Sequence, residues 1–204
     1  MSVFGEFAKY YDLVHQNKDY EKESSYVDSL IRKYKPDTRT ILDIGCGTGN
    51  YAFAMQALGY EVTGIDASPE MIEIAEKKLV GNYGETSAPS FCSARMEEYA
   101  SQAKSDAVIC LFFSLCYQTT EDLIRQSLRR FKEQLNEDGI LIFDFWHKAG
   151  VLSQKPELKI QRYRTENFEI TKLAEPEMDV SSDCVGIDYT FYVENEKDEN
   201  TAAA

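Results

Sequence analysis

Three glycines at alternate positions are the part of this sequence with the clearest chemical consequence. Gly45, Gly47 and Gly49 follow the apolar run 40–44. Glycine lets the backbone turn tightly where a strand ends, and it lets a ligand approach the backbone closely. The GxGxG spacing differs from the GxGxxG of most nicotinamide and flavin sites. Taken alone, this loop predicts an adenosine-containing ligand without choosing the cofactor.

A carboxylate, Asp66, ends the second apolar run at 62–65. In open α/β sheets a carboxylate at this position accepts two hydrogen bonds from a ribose diol. The alternative is that Asp66 is a helix-cap or turn residue. Together with the glycine loop, Asp66 favours an adenosine-type site.

The elements that must position these residues alternate along residues 40–145. Short apolar runs alternate with helical patterns, which is typical of a parallel sheet flanked by helices. Strands are predicted at 40–44, 60–65, around 90–92, 106–112 and 140–145. Helices are predicted at 50–58, from Pro69 with Ser68 as the N-cap, and after Thr119 or Thr120, ending at 136–139. The predicted fold class is α/β, a doubly wound Rossmann-like and mostly parallel sheet.

Two regions lie outside this alternation. Val27, Leu30, Ile31 and Tyr34 form a helical stripe before the sheet, and apolar residues alternate with polar ones over 185–193. The latter pattern predicts a half-buried antiparallel strand, with partners near 158–160 and 168–170. The predicted organisation is a helical cap with a Rossmann-like domain, a small antiparallel β region over the site, and a disordered tail, at 1–146, 147–195 and 196–204.

Composition excludes several classes of function. The net charge is −13, from 22 basic and 35 acidic residues, so the surface repels phosphate backbones and no nucleic-acid partner is expected. No apolar run approaches the roughly 20 residues that span a bilayer, and the N-terminus lacks signal-peptide blocks. Five cysteines without CxxC pairing and only two histidines argue against disulfides and zinc. A soluble, cytoplasmic, metal-free protein is expected.

Four segments resemble class I S-adenosylmethionine-dependent methyltransferases in their order and separation. They read LDIGCGTGN, GIDASPEMIEIA, DAVICLFFSLCY and LNEDGILIFDFW. The combinations Tyr10-Tyr11-Asp12 and Lys18-Asp19-Tyr20 further resemble a small-molecule branch that includes sugar-nucleotide N-methyltransferases. The resemblance covers about residues 7–146. It implies S-adenosyl-L-methionine as the cofactor and a small-molecule amine or hydroxyl, such as that of an amino sugar or an activated sugar, as the acceptor.

The resemblance also implies roles for individual residues around the cofactor. The methionine portion of the cofactor would be lined by Gly45, Cys46 and Gly47. Asp43 would lie near its amino group, and the carbonyl of Leu111 would lie beside the methionyl group. Asp66 would hold the ribose hydroxyls. The adenine would be flanked by Ala67, Met71 and Met96. Two tyrosines of the N-terminal segment, Tyr11 and Tyr20, would close over the cofactor. For both methionines and both tyrosines, simple packing is an open alternative.

The sequence departs from the family pattern in two places. Arg95 stands where the family often has an acid that contacts the adenine amino group, so that contact would come from the backbone, from Glu97 or not at all. Family members also continue past the fifth strand to a helix and a closing hairpin. Here only the alternating region follows, which predicts that this later part is missing.

Methyl transfer requires an aligned nucleophile, carbon and sulfur rather than a catalytic triad. A neutral amine needs no general base, whereas a hydroxyl does. Tyr117 and His147 are the predicted catalytic residues, with His15 as a third polar group toward the acceptor, and each has a structural alternative. A non-catalytic cofactor-binding protein that acts through a partner is the second hypothesis, and a nicotinamide oxidoreductase is disfavoured by the glycine spacing. A homodimer is left open.

Overall fold

The computed structural model describes residues 5–82, 88–179 and 181–195. The chain divides into two compact units, Met1–Phe145 and Trp146–Ala204. Among the described residues, no helix combines the length and the apolar character that crossing a bilayer requires. The same part of the chain holds no group of three potential metal-ligating side chains.

The first unit begins with short helical elements. A 3₁₀ turn at Glu6–Tyr10 runs into α1 (Tyr11–Val14), and α2 (Tyr20–Tyr34) follows. Asp19 caps α2, because its side chain accepts the Lys22 N–H at 2.9 Å. The predicted stripe is confirmed at its centre, where Val27 and Ile31 are buried. Tyr34 is 64% exposed because it lies at the end of the helix.

A five-stranded parallel sheet forms the centre of the first unit. Its strands are β1 (Thr40–Ile44), β2 (Glu61–Asp66), β3 (Ser90–Ser93), β4 (Ser105–Cys110) and β5 (Leu135–Phe143). The helices between them are α3 (Asn50–Ala57), α4 (Pro69–Asn82) and α5 (Glu121–Gln134). The strand order is β3-β2-β1-β4-β5, so the order reverses between β1 and β4. The predicted doubly wound, Rossmann-like fold is confirmed, and the crevice at this reversal is where such sheets bind ligands.

The helix caps agree with the sequence patterns. The Ser68 hydroxyl accepts the Met71 N–H at 3.3 Å at the start of α4, and the Thr120 hydroxyl accepts the Leu123 N–H at 3.3 Å at the start of α5. Of the two predicted threonines, Thr120 is therefore the cap.

Two strand boundaries differ from the prediction. β4 ends at Cys110 rather than at 112, because Phe112 and Phe113 adopt left-handed backbone angles with φ of 58° and 63°. β5 starts directly after α5 instead of at Ile140 and ends at Phe143. Its early start arises because Leu135 already pairs with Ser105 before the register shifts to Ala107 and Ile140. The helix ends at Gln134, before the polar stretch 136–139 that is predicted to end it, and this stretch lies within the strand.

Two apolar clusters pack against the sheet. Successive side chains of β1 enter different clusters, Ile41 on one side and Leu42 on the other, as a strand covered on both faces requires. The cluster of Ile41 contains residues of α2 and α3, and that of Leu42 contains Phe131 of α5.

The second unit is a three-stranded antiparallel sheet with one short helix. It contains α6 (Lys148–Ser153), β6 (Lys159–Arg164), β7 (Phe168–Asp179) and β8 (Cys184–Asn195), in the strand order β6-β7-β8. The predicted alternating strand is confirmed as β8, and β7 is its partner as predicted. The segment near 158–160 forms β6, which pairs with β7 rather than with β8, because β7 is the central strand of this sheet. The predicted disordered tail at 196–204 lies outside the described residues.

Candidate functional site

The glycine loop closes tightly over the end of β2. The N–H groups of Gly45 and Cys46 both donate to the carbonyl of Ile65, at 2.8 and 2.9 Å. Gly45 has a φ of +72°, and a Cβ at this position would lie 2.6 Å from the Ser114 side chain. Only glycine satisfies both constraints, so the loop requires glycine here for a structural reason.

Asp66 ties the glycine loop to the start of α4. Its Oδ2 accepts the Gly47 N–H at 2.9 Å and its Oδ1 accepts the Ser68 N–H at 2.8 Å. Burial raises the pKa of this carboxyl, while the two backbone hydrogen bonds act to lower it. Each carboxylate oxygen offers more than one lone pair, so these bonds leave acceptor capacity for ribose hydroxyls.

Asp43 lies inside β1 and only 1% of its surface is exposed. Its Oδ2 has no hydrogen-bond partner among the described residues. Burial and the nearby charge of Asp66 raise the pKa of Asp43 to about 7. A buried acceptor without a donor is costly. Because this one lies two residues before Gly45, it identifies the loop as a place where a donor from a ligand fits.

Three phenols and a histidine converge beside the loop. A Cβ at Gly47 would lie 4.0 Å from the Tyr11 ring and its hydroxyl. Burial, and next the proximity of Tyr20 and Tyr117, raise the pKa of Tyr11 above its usual range. The His15 Nδ1 lies 2.9 Å from the Tyr11 carbonyl oxygen, and the two rings are 4.3 Å apart. The structure therefore brings Tyr11, Tyr20 and Tyr117 together, with His15 alongside.

A polar network joins the N-terminal segment to the loop and to α4. Asp12 accepts from the Thr48 hydroxyl at 2.6 Å and the Asn50 amide at 3.0 Å, and it pairs with Lys78 at 2.8 Å. Lys78 also donates to the Thr48 carbonyl at 2.9 Å. Burial acts to raise the pKa of Asp12, but the hydrogen bonds from Lys78, Thr48 and Asn50 prevail and lower it. Sequence reasoning assigned no role to Thr48, Asn50 or Lys78, because their positions depend on where the N-terminal segment packs.

This network yields a stability prediction. Replacing Lys78 by Met leaves the half-buried carboxylate of Asp12 without its cation, and is expected to lower the free energy of unfolding by about 1–2 kcal/mol. The matched control is Lys77→Met, which removes an exposed ion pair with Glu73 one helical turn away and should change stability by less than about 0.5 kcal/mol. Urea denaturation of both variants measures the difference. Equal losses would contradict the structural role of the network.

Leu111 is linked to the glycine loop through the Ser114 hydroxyl. The Ser114 hydroxyl lies 2.8 Å from the Leu111 carbonyl oxygen and 3.3 Å from the Gly45 carbonyl oxygen. Sequence reasoning missed Ser114, although it stands within a motif segment. The carbonyl of Leu111 is thus already in contact with a donor.

The residues predicted around the adenine occupy different environments. Ala67 is exposed next to Asp66, and Met96 is half-buried against the apolar cluster of Leu42. Met71 is 1% exposed, which favours core packing, the alternative that its sequence position left open. Glu97 is buried and accepts from the Arg95 Nε at 2.6 Å, so the two residues at the departure from the family pattern pair with each other.

His147 and the glycine loop belong to different units of the chain. His147 belongs to the second unit, where it immediately precedes α6. A pocket of about 350 Å³ beside the loop is lined by Asp12, His15, Tyr20 and Lys78, among others. A larger pocket of about 630 Å³ contains none of the glycine-loop residues.

The central part of the chain is similar to known methyltransferases. Residues 41–139 match the model of a methyltransferase domain. The chain is 33% identical over 143 residues to a putative methyltransferase of Geobacillus sp. (strain WCH70), covering 70% of this chain and 57% of that protein. It is 29% identical over 147 residues to the dTDP-3-amino-3,6-dideoxy-alpha-D-glucopyranose N,N-dimethyltransferase of Streptomyces fradiae, covering 70% and 54%.

A solved structure shares the fold over most of the chain. DesVI of Streptomyces venezuelae has a TM-score of 0.75 at 19% identity, over 93% of this chain and 83% of that one. At this identity the likeness establishes the fold alone. The chain spans about half the length of the curated relatives it matches, 57% and 54% of the two described above.

Proposed function

We propose, on the premise that residues 41–139 form a class I methyltransferase domain, that the chain binds S-adenosyl-L-methionine and methylates a small-molecule amine or hydroxyl. The observation that carries the proposal is the buried, unpaired Oδ2 of Asp43 beside the glycine loop. A cationic amino group, as the cofactor's methionine portion has, would satisfy this oxygen. Asp66 retains acceptor capacity for ribose hydroxyls.

The residues present fit this cofactor, and each would contact a different part of it. Asp43 and the loop residues Gly45, Cys46 and Gly47 would hold the methionine portion, and Asp66 the ribose. Ala67 and Met96 would lie near the adenine, and Leu111 would face the methionyl group. The bound cofactor would supply a methyl group on a sulfonium sulfur, which leaves readily as a neutral thioether when the acceptor nitrogen bonds to the methyl carbon. The chain then needs to orient an acceptor and exclude water rather than to generate a strong nucleophile.

The phenols beside the loop suit the role of hydrogen-bond donors. The pKa of Tyr11 lies above its usual range because of burial, so this hydroxyl stays protonated at neutral pH. Tyr11 and Tyr20 would close over the cofactor, and Tyr117, which is 55% exposed, would face the acceptor. A neutral amine fits this arrangement better than a hydroxyl, because an amine needs no base to attack.

An amino sugar is the acceptor class we propose. The Streptomyces fradiae relative is named as an N,N-dimethyltransferase of a dTDP-amino sugar. The amino group of that relative's substrate is the kind of nucleophile that the site chemistry favours. A cytoplasmic location, a homodimer and the lack of a nucleic-acid partner stay predictions.

Calorimetry and a methyl-transfer assay test the proposal. The chain is expected to bind S-adenosyl-L-methionine and not NAD, and to transfer labelled methyl groups to members of an amino-sugar panel. Tight binding of NAD with no response to S-adenosyl-L-methionine would refute it. Binding of S-adenosyl-L-methionine without transfer to any acceptor would support the non-catalytic alternative instead.

Tyr117 offers a more specific prediction within this assay. Tyr117→Phe is expected to lower kcat roughly tenfold while the Kd for S-adenosylhomocysteine stays within about twofold, because only the acceptor loses a contact. Tyr26→Phe, at an exposed tyrosine of α2, is the control. His147→Asn tests the second predicted catalytic residue in the same way. An unchanged kcat in Tyr117→Phe would exclude the assigned role.

A further inference from the structure

The turn after β4 contains two consecutive bulky residues in the left-handed backbone region. Phe112 and Phe113 have φ of 58° and 63°. This region is unfavourable for a residue with a large side chain, and such strain persists only where surrounding contacts enforce it. The turn therefore depends on a group that holds it.

Asp144, immediately after β5, is that group. Its Oδ2 accepts the Phe112 N–H at 3.0 Å and its Oδ1 accepts the Phe113 N–H at 2.6 Å. Its own N–H donates to the Cys110 carbonyl at 3.3 Å. One carboxylate thus binds both backbone donors of the strained pair, and hydrogen bonds to a charged acceptor are the stronger kind.

The same turn contacts the candidate site on two sides. Ser114 touches the Gly45 carbonyl at 3.3 Å on the side of the glycine loop. The Phe112 ring lies edge-on to His15 at 5.3 Å and 4.2 Å from the Lys18 ammonium on the side of the N-terminal segment. A shift of the turn would therefore disturb its contacts with both the glycine loop and the N-terminal segment.

We propose that Asp144 is a positioning residue that holds the turn 111–114 against the glycine loop and thereby sets the Leu111 carbonyl beside the cofactor. The inference rests on the proposed function, because the ligand is the one proposed there. Asp144 acts through the turn, and its carboxylate is occupied by two backbone N–H groups rather than by a reacting atom.

Asp144→Asn is the primary test in the 204-residue chain. The amide keeps the size of the side chain but turns an N–H donor toward a backbone donor, so one of the two N–H groups loses its acceptor. Calorimetry with S-adenosylhomocysteine is expected to show binding weakened by roughly tenfold. The unfolding temperature is measured in parallel.

The control variant is Asp106→Asn at the start of β4. Asp106 makes the same kind of contact, accepting the backbone N–H groups of Arg39 and Thr40 at 2.9 and 3.1 Å, and it lies at the opposite end of the strand. This variant is expected to lower the unfolding temperature and to leave the Kd within about twofold. If it weakens binding as much as Asp144→Asn does, general destabilisation explains the effect and the proposal is overturned.

A rescue experiment isolates the strain. Glycine adopts the left-handed region freely, so Phe113→Gly in the Asp144→Asn background is expected to restore most of the binding. Wild-type affinity in Asp144→Asn, or failure of the rescue, would refute the positioning role. If the wild-type chain does not bind S-adenosylhomocysteine, the proposed function fails. In that case the unfolding temperature still tests the role of Asp144. If Asp144→Asn lowers it and Phe113→Gly restores it, Asp144 stabilises the turn. If Asp144→Asn leaves the unfolding temperature unchanged, the proposal is overturned.

Discussion

Replacing Gly45 by Ala is expected to weaken binding of S-adenosylhomocysteine by roughly a hundredfold, which calorimetry measures directly. The new Cβ would lie 2.6 Å from Ser114, on a backbone with φ of +72°. The loop can relieve this clash only by moving away from the turn after β4. Overpacking and backbone strain together cost about 3 kcal/mol, so stability should fall as well.

Gly59 provides the matched control for this variant. Its φ is +99°, yet no atom lies within 4 Å of a Cβ built there. Gly59→Ala therefore introduces backbone strain without a clash. It is expected to lower the free energy of unfolding by about 1–2 kcal/mol and to leave binding intact. If both variants bind equally well, the contact between Gly45 and Ser114 has no influence on the site.

Asp43→Asn is expected to stabilise the ligand-free chain above pH 7 while abolishing detectable binding of S-adenosylhomocysteine. Burial and the charge of Asp66 raise the pKa of Asp43 from 3.8 to about 7. The folded state then binds more protons than the unfolded state between these values, so the stability of the wild type falls as pH rises from about 4 to about 7. The difference between the pKa values of Asp43 in the folded and unfolded states corresponds to a loss of at most roughly 4 kcal/mol of wild-type stability at pH 8.

The pH dependence distinguishes this explanation from a packing effect. In Asp43→Asn the decline between about pH 4 and pH 7 should be shallower, while the contribution of Asp66, whose pKa is also raised by burial, should remain. Asp138→Asn, at an exposed acid of β5, should leave the slope unchanged. Chemical denaturation at several pH values measures it. A variant that is less stable than the wild type at pH 8 would contradict the assigned cause.

Much of the central sheet is predictable because its information is local. The apolar run of β1, the Ser68-Pro69 helix start and the glycine loop are each encoded by neighbouring residues. Asp66 is likewise found from its place at the end of a strand. These features require no knowledge of which segments meet in space.

The features that the sequence does not predict depend on contacts between segments that are distant in sequence. The predicted strand 106–112 includes Phe112 because this residue is apolar, and neither Phe112 nor Phe113 is a glycine that would indicate a left-handed backbone. Asp144 occupies the same position after β5 that Asp66 has at the end of β2, which is a usable signal. Its function, however, depends on the register between β4 and β5. For Met71, a suitable position in a motif does not reveal how deeply the side chain is buried, so its predicted place near the adenine stays a prediction.

The network around Asp12 has a kinetic consequence for ligand exchange. The carboxylate of Asp12 contacts Thr48, Asn50 and Lys78, so moving the N-terminal segment away from the glycine loop breaks all three contacts. If this segment closes over the cofactor as proposed, its opening would set an upper limit on how fast a spent cofactor is replaced by a fresh one. Repeated turnover could then be no faster than the breaking of contacts among side chains that are not proposed to hold the cofactor.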